Sequence, residues 1–427
     1  MNYEESLTYI HGRPRFSARR TDLHKVETLL SRLGSPHQQG KYVHVTGTNG
    51  KGSTCAMVAA ALRACGYRTG LFTSPYLVRF EERFRIDGQN IAPARLAEIA
   101  TRVREAEDRL EAEGHDPATE FEIVTAIGFT WFAEEHCDYV VLEVGIGGRL
   151  DCTNVIKTPA CACLTAVSLD HTRVLGGTLE AIAREKAGII KPGGHVVTGK
   201  QPPEVLEVIR EACRQRGAEL IEASAMPVSD VHMTCEGTDC TIDGLPLHLS
   251  LLGAHQIDNA CAALAVCRVL GLPEEKIVWA LGHTCWPGRL DYRPGTPPLL
   301  LDAGHNPGGM DALCQALDTI FPGVPLRVVM GMMADKATAY CVPRIAARAT
   351  ALYACAVEVP RAMAADQLAA IAAESTQAAA YPSVEAALDA ARREAQPGEL
   401  VLVCGSVYLA GSVLEILERE GQPFDGI

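Results

Sequence analysis

The stretch KYVHVTGTNGKGSTCAMVAAAL, residues 41–62, runs from an apolar strand through a glycine-rich turn into a helix. Glycines let backbone N–H groups point inward, the helix adds the positive end of its dipole, and Lys51 adds a full charge. Such a turn favours an anion such as phosphate. It departs from the Walker A pattern because Gly52 stands between Lys51 and Ser53. An ordinary strand-to-helix turn with a surface lysine is the alternative.

Composition restricts the class of protein. A chain of 427 residues exceeds what one hydrophobic core usually serves, so we expect two domains. A net charge of -13 argues against broad contact with nucleic acid. The first residues lack the apolar core of a signal peptide, and no segment approaches the roughly 18 apolar residues of a membrane helix. We therefore expect a cytoplasmic protein without membrane contact.

The sixteen cysteines stand in apolar segments and form no C-x-x-C pair. They are typical of small buried hydrophobic residues, and we expect neither disulfides nor a cysteine metal site.

Apolar runs of strand length alternate with helix-period stretches, which predicts an α/β fold with a parallel sheet covered on both faces. Residues 230–252 alternate in polarity between turn signals and predict a small hairpin excursion. A second alternation of strands and helices follows the Pro- and Gly-rich segment 286–298. The sequence therefore predicts a domain boundary near residue 295.

Two further segments end strands with polar residues. Glu143 closes the apolar run 138–143, where a nucleotide-binding α/β protein keeps a carboxylate for Mg²⁺. His171 follows the next apolar run and could be a third-strand ligand of the same ion, although a lone histidine is more often structural. GIGGRL at 145–150 imitates a dinucleotide fingerprint, but Leu150 replaces its third glycine.

Ten segments together carry a resemblance to one family. They are HVTGTNGKGS (44–53), TSPYLVRFEERFRIDG (73–88), LEVGIGGRLDCTN (142–154), SLDHTRVLG (168–176), REKAGIIKPG (184–193), GAHQIDNA, WPGRLD, LDAGHNP, GMMADK and CGSVYLAG. In this order they resemble the folylpolyglutamate synthase and dihydrofolate synthase family, relatives of the Mur cell-wall ligases. That family's phosphate loop is spelled GTNGKGS, which accounts for Gly52.

The resemblance implies a P-loop parallel-sheet ATPase domain followed by a smaller Rossmann-like α/β domain. Residues 1–295 would form the ATP-binding central domain and residues 296–427 the C-terminal glutamate-ligase domain. It implies ATP, Mg²⁺, L-glutamate and a reduced folate or dihydropteroate as ligands of a monomeric enzyme.

It also implies roles for individual residues. ATP phosphates would lie on Thr48, Asn49, Gly50, Lys51, Gly52 and Ser53, with further nucleotide contacts from Asn259, Arg289 and Asp302 at a domain interface. Mg²⁺ would be held by Ser74, Glu143, His171 and a carbamate on Lys186. Without the resemblance, Lys186 would be interpreted as a solvated surface charge in the middle of a helix. The incoming glutamate would meet His305. The pterin end would lie against Thr119, Glu120, Phe121, Glu122, Asp151, Cys152, Thr153 and Asn154.

The implied reaction is ATP-driven amide bond formation through an acyl phosphate, in a cleft between two domains that closes. Lys51, Lys186 and His305 would be its catalytic residues. Two departures touch the substrate assignment, because the family's usual DGAHNP is DAGHNP here and its DATN is DCTN.

The alternatives are a Mur-type ligase acting on a cell-wall precursor, a GTPase-like switch and a non-catalytic scaffold. The switch lacks an N-K-x-D signature, and a scaffold would be expected to have lost Lys51, Glu143 or His171. The sequence leaves open whether the enzyme adds the first glutamate, later ones, or both.

Overall fold

The computed structural model describes residues 1–14 and 22–422. Its chain divides into two compact units. The first comprises Met1–Tyr76, Phe80–Met226 and Asp258–Leu281, and the second comprises Leu77–Arg79, Pro227–Ile257 and Gly282–Ile427. The second unit thus includes two segments of the earlier chain, Leu77–Arg79 and Pro227–Ile257, and its last segment begins at Gly282, so a single boundary near residue 295 does not describe the division.

The first unit is built on an eight-stranded sheet. Its strands are β1 (Lys41–Thr46), β2 (Thr69–Phe72), β3 (Phe84–Ile86), β4 (Gln89–Asn90), β5 (Tyr139–Glu143), β6 (Cys161–Leu164), β7 (His195–Thr198) and β8 (Glu219–Glu222). Its helices are α1 (Tyr3–His11), α2 (His24–Arg32), α3 (Lys51–Ala64), α4 (Pro93–Ala112), α5 (Glu120–Glu134), α6 (Thr172–Leu175), α7 (Leu179–Lys186) and α8 (Pro203–Arg216). Two further helices follow, α9 (Ala254–Val269), which both units share, and α10 (Glu274–Gly282).

The strand order is β4-β3-β2-β5-β1-β6-β7-β8, with β2 and β5 to β8 parallel to β1, and with β3 antiparallel to both of its neighbours, β2 and β4. Strand β1 is central, and its residues after Lys41 are buried, as expected for a strand covered on both faces. Tyr42 and Leu142 pack with α1, α2, α4 and α5. Leu164 and Val196, which the strand register puts on the same face of the sheet, pack with α7 and α8. The predicted α/β architecture is confirmed.

The second unit contains two sheets. A three-stranded antiparallel sheet, ordered β11-β10-β9, consists of β9 (Val228–Thr234), β10 (Gly237–Ile242) and β11 (Leu245–Leu249). This is the predicted hairpin excursion, extended by a third strand. The larger sheet, ordered β12-β13-β17-β14-β15-β16, consists of β12 (Asp291–Arg293), β13 (Leu299–Asp302), β14 (Leu326–Met330), β15 (Ala349–Ala354), β16 (Gln377–Ala380) and β17 (Leu400–Cys404).

In this larger sheet only β12 is antiparallel to its neighbour. The covering helices are α11 (Pro307–Ile320), α12 (Thr338–Ala346), α13 (Ala365–Ala372), α14 (Val384–Glu394) and α15 (Val407–Arg419). Helices α11 to α13 pack on one face, and α14 and α15 pack on the other. The second unit therefore repeats the layered α/β plan around its own core.

The sixteen cysteines are free thiols and most are buried, as the sequence predicts. Burial raises the pKa of Cys161 to about 12, so this thiol stays neutral inside the sheet. Across residues 1–14 and 22–422, no three His, Cys, Asp or Glu side chains form a group suited to a metal ion. Among the described helices, none combines the length and apolar character needed to cross a membrane.

Candidate functional site

The glycine-rich turn between β1 and α3 has all of its carbonyl oxygens occupied by donors from the protein. Gly47 O accepts from Lys186 Nζ at 2.6 Å, Thr48 O from Lys51 Nζ at 3.2 Å, Asn49 O from Thr165 Oγ1 at 2.8 Å and Gly50 O from Thr54 N at 2.9 Å. A carbonyl held in this way does not turn its negative end toward a bound anion. A turn whose carbonyls are all occupied suits an anion site.

Two amides of the predicted cradle are already used inside the protein. The N–H groups of Thr48 and Asn49 both donate to Ala166 O, at 2.8 and 3.2 Å. The first amides of a helix have no partner within the helix, and α3 begins at Lys51. The amide part of the predicted Thr48–Ser53 cradle is therefore expected from the start of α3 rather than from Thr48 and Asn49, and phosphate binding there stays a prediction.

Two positions of the loop, Gly47 and Gly50, require glycine because neighbouring side chains occupy the space where a Cβ would lie. A Cβ on Gly47 would lie 1.8 Å from Thr165 Oγ1, and a Cβ on Gly50 would lie 2.1 Å from Asn259 Oδ1. Gly50 also has a φ of +84°, which L-residues rarely adopt. The predicted nucleotide residue Asn259, on α9, therefore sits directly against the loop.

Lys186 is the last residue of α7, so the prediction of a mid-helix position was wrong. The chain continues directly into a 3-10 helix, Ala187–Ile189, in which a Cβ on Gly188 would lie 2.3 Å from Arg149 Cβ. The Lys186 side chain is only 4% exposed, which also excludes a solvated surface charge. Burial, reinforced by the positive charge of Lys51, lowers the pKa of Lys186 to about 7. An amine in this setting is readily neutral.

Of the predicted metal ligands, Ser74 and Glu143 meet in the structure, whereas His171 follows β6, two strands away from β5. Glu143 ends β5 and is 5% exposed, and its Oε2 accepts a hydrogen bond from Ser74 N at 2.9 Å. Ser74 follows β2, the parallel neighbour of β5, so the two residues meet at the same edge of the sheet. His171 is exposed at the start of α6, and its own N–H donates to Asp170 Oδ1 at 2.8 Å.

The predicted pterin residues 119–122 form the beginning of α5. Thr119 and Glu122 make a reciprocal capping box, in which each side chain accepts from the backbone N–H of the other. Glu120 pairs with His11 at 3.3 Å, and Phe121 packs against Phe72. Two of these four side chains are thus used to begin the helix, and a role in binding substrate stays a prediction.

The predicted pterin residues 151–154 are buried in contacts of their own. Asp151 accepts from Gly145 N and Ile146 N, both at 3.1 Å, and from Thr153 Oγ1 at 2.6 Å. Asn154 Nδ2 donates to two backbone carbonyls, and Cys152 is fully buried in the core. The cysteine that replaces the family's usual alanine is therefore a core residue here. Substrate contact by this segment remains a prediction.

Arg289, Asp302 and His305 belong to the second unit. Asp302 ends β13, and its carboxylate accepts from Leu290 N at 3.1 Å and Gly304 N at 2.8 Å. Burial raises the pKa of Asp302, while the Arg289 charge opposes that rise. His305 Nδ1 lies 3.0 Å from Ala303 O, so the Nδ1–H tautomer would donate to this carbonyl.

The exchanged order Ala303-Gly304 has a local reason. Ala303 is fully buried beside Val407 and Ala410. A Cβ on Gly304 would lie 2.6 Å from Asp302 Oδ1, so glycine is needed where the carboxylate folds back onto the chain.

The sequence reasoning missed the segment after β6. Thr165, Ala166 and Ser168 all bond to the phosphate-type loop. The available signal was a polar residue, Thr165, directly after the apolar run CACL.

Comparisons with known proteins agree over the whole chain. The Mur ligase middle domain model matches residues 45–267, and the Mur ligase, glutamate ligase domain model matches residues 288–407. A folylpolyglutamate synthase from Lacticaseibacillus casei is 37% identical, covering 98% of this chain and 99% of its own. A dihydrofolate synthase/folylpolyglutamate synthase from Bacillus subtilis is 32% identical, with coverages of 97% and 99%.

A solved structure gives the same result. The Mycobacterium tuberculosis folylpolyglutamate synthase complexed with ADP superimposes with a TM-score of 0.90 at 30% identity, covering 100% of this chain and 99% of that one. The resemblance inferred from ten motifs is thereby confirmed, and the chain belongs to the folylpolyglutamate synthase and dihydrofolate synthase family of Mur-related ligases.

Proposed function

We propose that this protein is an ATP-dependent ligase that joins L-glutamate to a reduced folate through an amide bond. The observation that carries the proposal is the loop after β1, whose carbonyls are all held by protein donors and which adjoins the buried Lys186. Such a loop suits the phosphates of ATP. Full-length similarity to folylpolyglutamate synthases supports folate, rather than a cell-wall precursor, as the acceptor class.

The chemistry requires activation, because a carboxylate does not react with amines at neutral pH. In the first step a carboxylate oxygen of the folate attacks the γ-phosphorus of ATP, the bond to the bridging oxygen breaks, and ADP leaves. In the second step the glutamate nitrogen attacks the acyl carbon of the acyl phosphate, inorganic phosphate leaves, and the nitrogen loses a proton. Lys51 and the first amides of α3 stabilise the negative charge that moves during phosphoryl transfer.

The residues at the sheet edge fit a magnesium ion. Ser74 and Glu143 offer a hydroxyl and a carboxylate, the hard oxygen donors that Mg²⁺ prefers, and a 2.9 Å hydrogen bond already ties their segments together. His171 would be a softer ligand. A magnesium ion bound here would neutralise charge on the ATP phosphates.

The position of Lys186 fits a carbamate. Carbamylation needs a neutral amine, and this amine is buried beside another positive charge. A carbamate retains one N–H, so the bond from Nζ to Gly47 O could persist after modification. The modified group would supply an anionic oxygen where the free lysine supplies a positive charge.

The remaining assignments complete the proposal. We assign residues 1–295 to ATP binding and residues 296–427 to glutamate ligation, and the match of the glutamate ligase domain model to residues 288–407 supports the second assignment. Arg289 and Asp302 would contact the nucleotide, and His305 would meet glutamate. A cytoplasmic location and a monomeric state remain predictions, the latter open to light scattering.

The test is turnover of purified protein with Mg·ATP and L-glutamate. Tetrahydrofolate, dihydropteroate and a muramoyl-peptide nucleotide are offered separately as acceptors, while ADP release and product mass are recorded. We expect glutamate-dependent ADP release and a mass gain of one or more glutamyl residues with a folate-type acceptor. Product from the muramoyl acceptor alone would overturn the proposal, and the two folate-type acceptors separate first from later glutamate addition.

A further inference from the structure

We propose that Thr165 is a positioning residue of the nucleotide site, because its hydroxyl holds the phosphate loop in its anion-binding form before any nucleotide arrives. The inference rests on one part of the proposed function, the assignment of ATP to this loop. It concerns a residue outside the loop and outside the set implied by the family motifs.

Thr165 is inserted between the two ends of the turn. Its Oγ1 donates to Asn49 O at 2.8 Å and also lies 3.2 Å from Thr46 O, while its own N–H donates to Thr46 O at 2.7 Å. The side chain is 1% exposed, so water does not replace these bonds. Gly47 leaves the room that the hydroxyl occupies. Thr165 therefore fixes the strand end and the loop with one side chain.

The residues after Thr165 continue the same contact. Ala166 O accepts from two loop amides, as described above. The Thr48 hydroxyl donates to Ser168 O at 3.0 Å and accepts from Ser168 N at 3.1 Å. Residues 165–168, here called the brace, thus bond the loop at Thr46, Thr48 and Asn49.

The brace is itself anchored from behind. Gln201, after β7, donates through Nε2 to Thr165 O at 2.8 Å, and its Oε1 accepts from Val167 N at 3.0 Å. The brace is therefore fixed on two sides and cannot follow the loop if the loop rearranges. Three residues beyond it stands His171, so the same short segment positions the loop and a proposed metal ligand.

Removing the Thr165 hydroxyl would take away the hydrogen bond that it donates to Asn49 O at 2.8 Å. A carbonyl held less firmly beside an anion site can turn inward and repel phosphate, so only part of the population would keep a competent loop. The apparent affinity falls by that fraction. Loss of one hydrogen bond of this kind corresponds to about a tenfold change in the equilibrium.

The experiment measures ADP binding to the full chain by calorimetry, with Mg²⁺ present, and thermal unfolding of the same samples. Thr165→Val removes the hydroxyl at nearly constant shape, and Thr165→Ser retains it. Thr69→Val is the matched control, because Thr69 is also 1% exposed in this sheet and donates to a backbone carbonyl, Tyr67 O, at 2.9 Å. Gln201→Leu tests the brace from its far side, should Thr165→Val fold poorly.

We expect Thr165→Val to bind ADP about tenfold more weakly, Gln201→Leu to bind it several-fold more weakly, and Thr165→Ser and Thr69→Val to bind it within about twofold of wild type. In turnover, Thr165→Val should raise the KM for ATP and leave the KM for glutamate unchanged, a split that a general loss of stability would not produce.

The outcomes separate this inference from the proposed function. If folded Thr165→Val binds ADP with wild-type affinity, or if Thr69→Val loses as much ADP affinity as Thr165→Val does, the role of Thr165 is overturned and the proposed function is not affected. If Thr165→Val does not fold, unchanged affinity in Gln201→Leu would overturn it. A wild-type protein that binds no ADP would overturn the nucleotide assignment, and this inference with it.

Discussion

Gly50→Ala tests whether the phosphate loop is packed as tightly as its geometry indicates. Gly50 has a φ of +84°, and a Cβ placed there would lie 2.1 Å from Asn259 Oδ1 and 3.0 Å from its Cγ. Two costs are therefore expected, one for the backbone conformation and one for the collision. The chain offers a control that contains only the first, because Gly66, just beyond α3, also has a φ of +84° and nothing within 4 Å of its Cβ position.

The magnitudes follow from these two environments. Alanine in the left-handed region costs about 1–2 kcal/mol, which is the whole expected effect of Gly66→Ala. At Gly50 the Asn259 amide would have to retreat by about 1 Å within a packed site, and such overpacking costs about 1–3 kcal/mol more. Since a change of 1 kcal/mol moves Tm by about 2–4 °C in a domain of this order of size, Gly50→Ala should melt at least about 2 °C below Gly66→Ala.

Thermal unfolding followed by circular dichroism measures both variants, together with Asn259→Ala and the Gly50→Ala/Asn259→Ala pair. Removing the asparagine amide should eliminate the collision and leave the backbone cost, so in the Asn259→Ala background Gly50→Ala should cost the same as Gly66→Ala. Equal melting temperatures for the two single glycine variants would refute the reasoning. So would a double mutant that recovers nothing.

Three further predictions concern the chemistry. Lys51→Ala should lower kcat/KM at least about 100-fold in an ADP-release assay at unchanged Tm, because it removes a charge that stabilises phosphoryl transfer. Glu143→Gln and His171→Ala should each need more magnesium for half-maximal turnover, as a magnesium titration would record. Lys186→Ala should be nearly inactive and should regain turnover with added acetate. Lys191→Ala is the control: the wild-type Lys191 Nζ donates to Asn154 O at 3.1 Å, and its removal should leave wild-type turnover.

Each of these has an outcome that contradicts it. Activity of Lys51→Ala within tenfold of wild type would remove Lys51 from the phosphoryl-transfer step. An unchanged magnesium requirement in either ligand variant would remove that residue from the metal site. Normal turnover of Lys186→Ala, or equal losses in the Lys186 and Lys191 variants, would reduce Lys186 to a structural residue.

Those strands could be predicted whose own residues form an apolar run that a turn residue ends. Strand β1 begins and ends at the predicted residues 41 and 46, because a strand buried on both faces is a continuous apolar run and Gly47 ends it. Strand β16 was not predicted, since its alanine-rich QAAA segment favours a helix. Tertiary contact makes it a strand, because β16 pairs with β15 in the larger sheet of the second unit.

The site shows the same difference between local and long-range causes. Glu143 was found because a charged residue ends an apolar run, a feature visible in one segment. Lys186 is held by Gly47 O, and the proposed role of Thr165 depends on Asn49 O, and both of these partners lie more than a hundred residues away in the chain. The T-x-x-E spelling of residues 119–122, by contrast, is a capping-box pattern that the sequence does display, and it was assigned only to substrate.

Because the protein carries a large negative net charge, binding of anionic substrates depends on groups close to the phosphate loop. ATP and folate are both anions, and a chain with a net charge of -13 repels them at long range. At physiological salt that repulsion is screened beyond about 8–10 Å, so binding must be decided by groups within that distance. Around the loop these groups are Lys51 and the start of α3. An acidic enzyme can therefore hold polyanionic substrates, provided that the loop keeps its carbonyls turned away from them.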